Sequence, residues 1–219
     1  MKQTKFEGVF ESGRKVLTKN LVPGISVYGE NLVKDGAEYR EWDPRRSKLC
    51  AAILKGIREI GIKPGNVVLY LGASTGTTPS HVSDIVGNEG FVFALDFAPR
   101  VVRELVFLCE KRKNMTPILA DANRPETYFD KVSAVDVVYM DIAQRNQAEI
   151  FLKNVEMFLI PGGYALLAVK ARSVDVTKRP GMIFDQVRNQ LGKSLNIVDF
   201  KVLDPFQKDH CMIVCQKSK

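Results

Sequence analysis

The chain has 219 residues, 45% of them hydrophobic, which is enough to bury the core of one α/β domain with a small appendage. No apolar stretch approaches the roughly 18 residues of a membrane span, and the N-terminal stretch MKQTKFEGVF lacks the apolar core of a signal peptide, so we expect a cytoplasmic protein without a membrane partner. The formal net charge of +7 favours a polyanionic partner such as nucleic acid without requiring one.

The N-terminal residues 1–46 are predicted to form a small antiparallel β domain. Short β-branched or aromatic pieces, GVF, VLT and SVYGE, alternate with turn-forming stretches such as ESGRK and YGENLVKDG. This alternation is typical of hairpins. Residues 47–219 are predicted to form the main domain.

The main domain is predicted to begin with a helix in the stretch SKLCAAILKGIREIG, where apolar residues keep helical spacing. Ser47 is the candidate N-cap and Gly61 the candidate stop.

Short apolar runs then alternate with helical patterns. The runs are NVVLYL, FVFALD, PILAD, VDVVYMD and YALLAVK, and the helical segments between them are PSHVSDIVG, PRVVRELVFLCEKRK and NQAEIFLKNVEMFLIPGG. Strand and helix in succession predict a doubly wound parallel sheet with right-handed crossovers. NIVDFKVLD and DHCMIVCQK have no helix between them and are expected to form an antiparallel hairpin at the sheet edge.

Several polar or reactive residue types are predicted to be structural. The four cysteines lie in apolar surroundings without a CxxC pair or metal-ligand spacing, which predicts reduced core thiols: Cys50, Cys109, Cys211 and Cys215. His81 and the single Trp42 are expected to pack rather than to react or to stack on a base. Basic residues are grouped in residues 40–48, 111–113 and 170–179, and one such group alone is typical of a solvated face.

The loop between the first strand and the next helix of the main domain, GASTGTTPS, is a candidate ligand site. Ligands of doubly wound sheets bind beyond the carboxyl ends of the strands, which is where this loop lies. Gly72 and Gly76 allow close approach of the backbone, while Thr77, Thr78 and Ser80 offer hydroxyls. The loop is neither a P-loop nor GxGxxG, so a pyrophosphate is not the obvious ligand.

Acidic residues close three successive strands: Asp96, Asp121 and Asp141. Asp96 occupies the place where doubly wound nucleotide-binding proteins hold ribose hydroxyls. Three acids suit a ligand with a ribose, an adenine amine and a positive centre, which predicts S-adenosylmethionine as the cofactor.

The sequence resembles the archaeal members of the fibrillarin family from about residue 8 to the C-terminus. The resemblance lies in LVPGISVYGE, YREWDPRRSKLCAAI, YLGASTGTTPSHVSDIVG, VVYMDIAQRNQ, AVKARSVDVT and KDHCMIV. It implies a Rossmann-like S-adenosylmethionine-dependent methyltransferase sheet with a small N-terminal antiparallel β domain. It also implies 2′-O-methylation of ribose in rRNA and tRNA, directed by box C/D guide RNA. The implied protein partners are a Nop-domain scaffold and a kink-turn-binding subunit related to ribosomal proteins.

The resemblance further implies which residues bind the cofactor and which take part in the reaction. The implied cofactor residues are Gly72, Ala73, Thr77, Thr78, Asp96, Phe97, Asp121, Ala122, Asp141, Ile142, Ala143 and Gln144. The implied catalytic set is Lys48, Asp141, Lys170 and His210. Asp96 stands where the family commonly has Glu.

The position of Lys170 indicates a role in methyl transfer. It ends the strand predicted to lie beside the one that ends in Asp141, so both side chains are expected in one crevice. A lysine there could stabilise a developing alkoxide, or accept its proton if its pKa were lowered. Which of Lys170, Lys48 and His210 handles the proton stays open at this point.

Two alternative functions also fit parts of the sequence. A nicotinamide-dependent oxidoreductase would use the same sheet, ribose-binding acid and glycine turn, but GxGxxG is missing. A non-catalytic RNA-binding subunit would fit the basic charge, but the sequence has no RRM-like aromatic signature.

Overall fold

The computed structural model describes residues 1–219 and contains two sheets. The N-terminal sheet has five antiparallel strands in the order β1-β2-β3-β5-β4. Its strands are β1 (Lys2–Gln3), β2 (Val9–Ser12), β3 (Lys15–Lys19), β4 (Leu32–Asp35) and β5 (Ala37–Trp42).

The prediction of a strand at SVYGE is wrong. Residues 26–30 form a loop, in which the Glu30 carboxylate accepts hydrogen bonds from the amides of Val27 and Tyr28. These contacts satisfy amides that would otherwise need partners in a neighbouring strand.

The main sheet has seven strands in the order β11-β12-β10-β9-β6-β7-β8. They are β6 (Val67–Leu71), β7 (Phe91–Asp96), β8 (Met115–Leu119), β9 (Val135–Met140), β10 (Leu159–Lys170), β11 (Asn196–Val202) and β12 (His210–Gln216). Strands β10, β9, β6, β7 and β8 are parallel, and the β11–β12 hairpin is antiparallel at the edge. The predicted doubly wound sheet and its edge hairpin are therefore confirmed.

Six α-helices accompany the strands: α1 (Lys48–Leu54), α2 (Thr77–Val86), α3 (Pro99–Lys111), α4 (Gln147–Phe158), α5 (Ala171–Val174) and α6 (Pro180–Leu191). A 3-10 helix spans Pro125–Lys131. The predicted helices α2, α3 and α4 are confirmed, whereas α5 and α6 were not predicted. None of the helices combines the length and apolar character that crossing a bilayer requires.

Helix α1 is shorter than predicted. Ser47 is its N-cap, as predicted, and its hydroxyl accepts the amide of Cys50. The helix ends at Leu54 rather than near Gly61, because Gly56 adopts φ +75° and the amide of Arg58 donates to Asp199 Oδ2 at 2.6 Å instead of to the preceding turn. Ile57 and Ile60, which follow the helix, are nevertheless buried. The apolar spacing therefore predicted which residues are buried, but not how long the helix is.

Both faces of the main sheet are covered. Along β6, Val68 and Tyr70 belong to the core on one face, and Leu69 and Leu71 to the core on the other. This explains why the parallel strands are continuous apolar runs. All four cysteines are free; three are buried and the fourth is partly buried.

Candidate active site

The carboxyl ends of β6 and β9 approach each other closely at Gly72. This residue has φ +84°, and a Cβ added to it would lie 2.5 Å from the carbonyl oxygen of Asp141. Only glycine fits both the backbone conformation and the space. The contact brings the loops after the two strands together into one crevice.

One half of the crevice, which we call the carboxylate cavity, has a volume of about 160 Å³. Among its lining residues are predicted cofactor residues: Gly72, Asp96, Phe97, Asp121, Ala122, Asp141, Ile142, Ala143 and Gln144. It is also lined by residues that sequence reasoning missed: Ser74, Leu95, Ala120 and Ile150. Leu95 and Ala120 directly precede the strand-end acids Asp96 and Asp121, and Ser74 lies in the candidate loop, whereas Ile150 lies in α4 and had no such signal.

Backbone amides hold the Asp96 carboxylate in place. Its Oδ2 accepts the amide of Ser74 at 2.9 Å, and its Oδ1 accepts the amide of Ala98 at 3.1 Å. A carboxylate has about four acceptor positions, so Asp96 can still accept two hydroxyls. Phe97 is two-thirds exposed (66%) and offers an apolar wall beside it.

The other half of the crevice, the lysine cavity, has a volume of about 310 Å³. It contains the whole implied catalytic set, namely Lys48, Asp141, Lys170 and His210. The remaining predicted cofactor residues, Ala73, Thr77 and Thr78, also line it, as do the unpredicted Arg46, Tyr70 and Pro79. Both cavities are lined by Gly72, Ser74, Asp141 and Ala143, so they adjoin each other.

An ion pair lies where the two cavities meet. Lys48 Nζ donates to Asp141 Oδ2 at 2.9 Å, and each side chain is about one-fifth exposed (21%). On the far wall, Lys170 and His210 are paired across β10 and β12. Residues from distant parts of the chain therefore meet around a space that is open to solvent.

The His210 ring is oriented by a backbone carbonyl. Its Nδ1 lies 2.6 Å from the carbonyl oxygen of Lys208, which can only accept, so Nδ1 carries the proton. Burial lowers the pKa of His210 below its usual range, and the nearby cations Lys48 and Lys170 lower it further, against the opposing effects of the Lys208 carbonyl and Asp141. The neutral ring then has an unprotonated Nε2.

The first turn of α2 is only partly available to a ligand. Thr78 Oγ1 donates to Ser47 Oγ at 3.0 Å. The prediction that Ser80 offers its hydroxyl is wrong, because this group donates to the carbonyl of Thr77 and accepts from Arg40 Nη2. Ser80 is fully buried.

His81 packs, as predicted, between the two sheets. Its ring nitrogens bond the hydroxyls of Thr18 and Tyr28 at 2.7 and 2.8 Å, and it stacks on Trp42 with ring centroids 4.7 Å apart. Burial and the charges of two nearby arginines lower the pKa of His81 well below its usual range. Trp42 is only 2% exposed, so it offers no surface for a base.

A second charged cluster lies behind α2, and we call it the buried junction: Glu30, Arg40, Asp84 and Arg112. Asp84 accepts from Arg40 Nη1 at 2.8 Å and from Arg112 Nη1 at 2.6 Å. Arg40 Nε also donates to Glu30 at 2.6 Å, and none of the four side chains is more than 2% exposed. Two arginines that belonged to the basic groups of the sequence are thus unavailable to a partner.

The chain matches known proteins over its whole length. The family model described as Fibrillarin matches residues 1–219. A "Fibrillarin-like rRNA/tRNA 2'-O-methyltransferase" from Thermococcus onnurineus is 51% identical over 223 residues, which cover 99% of this chain and 99% of the relative.

Two similar solved structures contain a ligand or a partner. Aeropyrum pernix fibrillarin with natively bound S-adenosyl-L-methionine has a TM-score of 0.89 and 46% identity, covering 98% of this chain and 96% of that one. A fibrillarin/Nop5p complex has a fibrillarin-like chain with a TM-score of 0.89 and 40% identity, covering 98% of this chain and 100% of that one.

Proposed function

Because the chain belongs to the fibrillarin family, we propose that it transfers the methyl group of S-adenosylmethionine to ribose 2′-hydroxyls of rRNA and tRNA. The observation that carries this proposal is the pair of adjoining cavities, with three carboxylates lining one and two lysines and a histidine lining the other. A box C/D guide RNA selects the nucleotide by base pairing, so the protein need not encode the target sequence. We expect the protein to act in the cytoplasm together with these RNA substrates.

The residues of the carboxylate cavity fit the cofactor. Asp96 would accept the two ribose hydroxyls, which a shorter acid than the common Glu can still do. Asp121 would accept a hydrogen bond from the adenine amine, and Phe97 and Ile142 would form apolar walls for the base. Asp141, which lines both cavities, would stabilise the positive centre. The cofactor would supply a methyl group bound to a positively charged sulfonium sulfur. This sulfur is a good leaving group, because it departs as a neutral thioether.

The residues of the lysine cavity align the hydroxyl and manage its proton. The methyl group bonds to the 2′-oxygen as its bond to sulfur breaks, so the hydroxyl must lose a proton. His210 Nε2 is the proton acceptor, because Nδ1 is committed to the Lys208 carbonyl. Lys170 stabilises the developing negative charge on the oxygen, and Lys48 holds Asp141 in place through its ion pair.

The protein is proposed to act inside a ribonucleoprotein particle. The similar fibrillarin/Nop5p complex supports a Nop-domain scaffold as the partner. A kink-turn-binding, ribosomal-protein-like subunit and the box C/D guide RNA complete the particle. Since the chain has no dedicated RNA-recognition module, we expect it to bind the cofactor alone but to methylate free RNA poorly.

The test compares the isolated chain with the reconstituted particle. Thermal shift should show stabilisation by S-adenosylmethionine and none by nicotinamide dinucleotides; the reverse would favour an oxidoreductase. The particle should transfer a labelled methyl group to a ribose 2′-oxygen at the guided nucleotide, and the site should move when the guide is changed. Binding of RNA without any transfer would instead favour a non-catalytic subunit.

A further inference from the structure

Arg46, which sequence reasoning did not select as a site residue, lies at the mouth of the lysine cavity. It also lines a groove of about 840 Å³ between the N-terminal sheet and the main domain. It is exposed and lies two residues before Lys48. Its side chain therefore borders both the lysine cavity and the groove.

The Arg46 guanidinium is held in position. Nη1 donates to the carbonyl oxygen of Tyr28 at 2.9 Å, and the group lies over the Tyr28 ring, 5.3 Å from its centroid. The ring is itself fixed, because its hydroxyl bonds the Glu41 carbonyl and the His81 ring. The remaining N–H groups, including the parallel pair on Nε and Nη2, have no protein partner in the hydrogen bonds of the structure.

The charge of Arg46 is not neutralised by a carboxylate. The ion pairs of the structure use Lys48 with Asp141 but do not include Arg46 or Lys170. The lysine cavity consequently has two unpaired cations. The carboxylate cavity has no lysine or arginine in its lining. The crevice is polarised, because its unpaired cations lie in the lysine cavity and none lies in the carboxylate cavity.

An RNA substrate brings a negative charge to this end. The carbon that carries a ribose 2′-hydroxyl adjoins the carbon that carries the 3′-phosphodiester. A hydroxyl that enters the lysine cavity must therefore place a phosphate near the cavity wall. Lys170 is already assigned to the reacting oxygen, which leaves Arg46 as the cation for the phosphate.

We propose that Arg46 binds the phosphodiester on the 3′ side of the target ribose and so positions the 2′-hydroxyl for transfer. This inference rests on the proposed function. A guanidinium is suited to the task, because two parallel N–H groups match two phosphate oxygens. The contact is independent of sequence, as guide-directed targeting requires.

The experiment removes each partner of the contact in turn. A methylphosphonate replaces the 3′-phosphodiester of the target nucleotide, with both diastereomers measured, in particles containing wild-type protein, Arg46→Ala or Arg46→Lys. The readout is the single-turnover methylation rate at low substrate RNA concentration, with cofactor affinity measured in parallel. Arg45→Ala is the matched control, because Arg45 is an exposed neighbour that lines neither half of the crevice.

Arg46→Ala and the methylphosphonate should each lower the rate about 10-fold or more, and the two together should lower it no further. Arg46→Lys should recover part of the loss. Cofactor affinity should stay at the wild-type value, and Arg45→Ala should methylate normally. The inference is overturned if the methylphosphonate lowers the rate as strongly in Arg46→Ala as in wild type, or if Arg46→Ala behaves like Arg45→Ala. A wild-type particle that transfers no methyl group to ribose contradicts the proposed function itself.

Discussion

The buried junction and the lysine cavity each contain an aspartate paired with a basic side chain, but in opposite surroundings. In the junction, Asp84 pairs with two arginines, and every side chain is almost completely excluded from water. In the cavity, Asp141 pairs with Lys48, and about a fifth of each side chain is exposed. The junction ties β5 and the residue after α3 to the back of α2, and thereby crosses the domain boundary that we propose near residue 46.

The difference in solvent exposure and in pairing determines whether a cluster of charged side chains stabilises the fold or takes part in the reaction. A fully paired, desolvated cluster cannot release a partner without leaving a buried charge, so its role is to fix helix α2. A partly open cluster with unpaired cations beside it can accept a ligand and can respond to charge that develops in a reaction. Mutations in the two clusters should therefore affect different measurements.

The largest effect is expected in the junction. Asp84→Ala leaves Arg40 and Arg112 buried without their shared carboxylate, and should lower the free energy of unfolding by about 3–5 kcal/mol. Urea unfolding measures the change. Asp185→Ala is the control, because Asp185 pairs with Arg188 on the surface of α6, where the two side chains are 62% and 39% exposed. Asp185→Ala should lower the free energy of unfolding by less than about 1 kcal/mol. An equal loss of stability in Asp84→Ala and Asp185→Ala would contradict the prediction.

In the cavity, Lys170→Ala should lower the single-turnover rate of methyl transfer by about 100-fold or more, with cofactor affinity nearly unchanged. The lysine acts on charge that exists only in the transition state. Arginine in its place should rescue poorly, because a guanidinium is broader and spreads its charge over a plane instead of concentrating it at one point. Lys193→Ala, on the exposed turn after α6, is the control. A wild-type rate for Lys170→Ala would make Lys170 structural and leave the reaction to Lys48 and His210.

A smaller effect is expected at Asp96. Asp96→Ala should weaken cofactor binding by about 1–3 kcal/mol, because a ribose acceptor is lost while the core is retained. Assembly of the particle should be intact, and the rate at saturating cofactor should be close to wild type. Asp96→Glu restores a carboxylate and should restore most of the affinity. Unchanged affinity in Asp96→Ala, measured by calorimetry, would show that this side chain does not contact the cofactor.

The smallest effect concerns pH and His81. The unfolded histidine takes up a proton as the pH falls through about 6.5, whereas the buried ring in the folded state does not. Stability is therefore fully present above this pH and decreases below it, by up to about 1.4 kcal/mol per pH unit. Urea unfolding between about pH 6.5 and 5 should show this slope, and His81→Gln should remove most of it. A slope unaffected by His81→Gln would contradict the prediction. His210→Gln should remove a smaller part of the slope, because the pKa of His210 is lowered less strongly.

The main sheet could be predicted because its signals are local. Each parallel strand contains an apolar run, and all except β10 have an acid or glycine near the carboxyl end; burial on both faces explains the apolar runs. Helix α6 could also have been found, since Pro180 lies in its first turn and Ile183, Phe184, Val187 and Leu191 keep helical spacing. The length of α1 was less accessible, because it depends on a contact between Arg58 and Asp199, far apart in sequence.

The candidate site was predictable in part for the same reason. Acids at the ends of parallel strands meet at one edge of the sheet, so the predicted residues line two joined cavities; whether they bind and react as proposed stays a prediction. The fate of the basic residues was not predictable. Arg40 and Arg46 belong to one basic group, yet Arg40 is buried against Asp84 and Arg46 faces the crevice. Composition and spacing do not show which of these arginines is paired with an acid that is distant in sequence.

The most direct test of the central claim compares Asp84→Asn with Asp141→Asn, the same substitution in the two clusters. The measurement is the single-turnover methylation rate in the reconstituted particle at saturating cofactor, divided by the folded fraction of each variant. We predict that Asp141→Asn loses about 100-fold in rate, while Asp84→Asn unfolds more easily but reacts at close to the wild-type rate per folded molecule. A wild-type rate for Asp141→Asn together with a large loss for Asp84→Asn would contradict the assignment of chemistry to the open cluster.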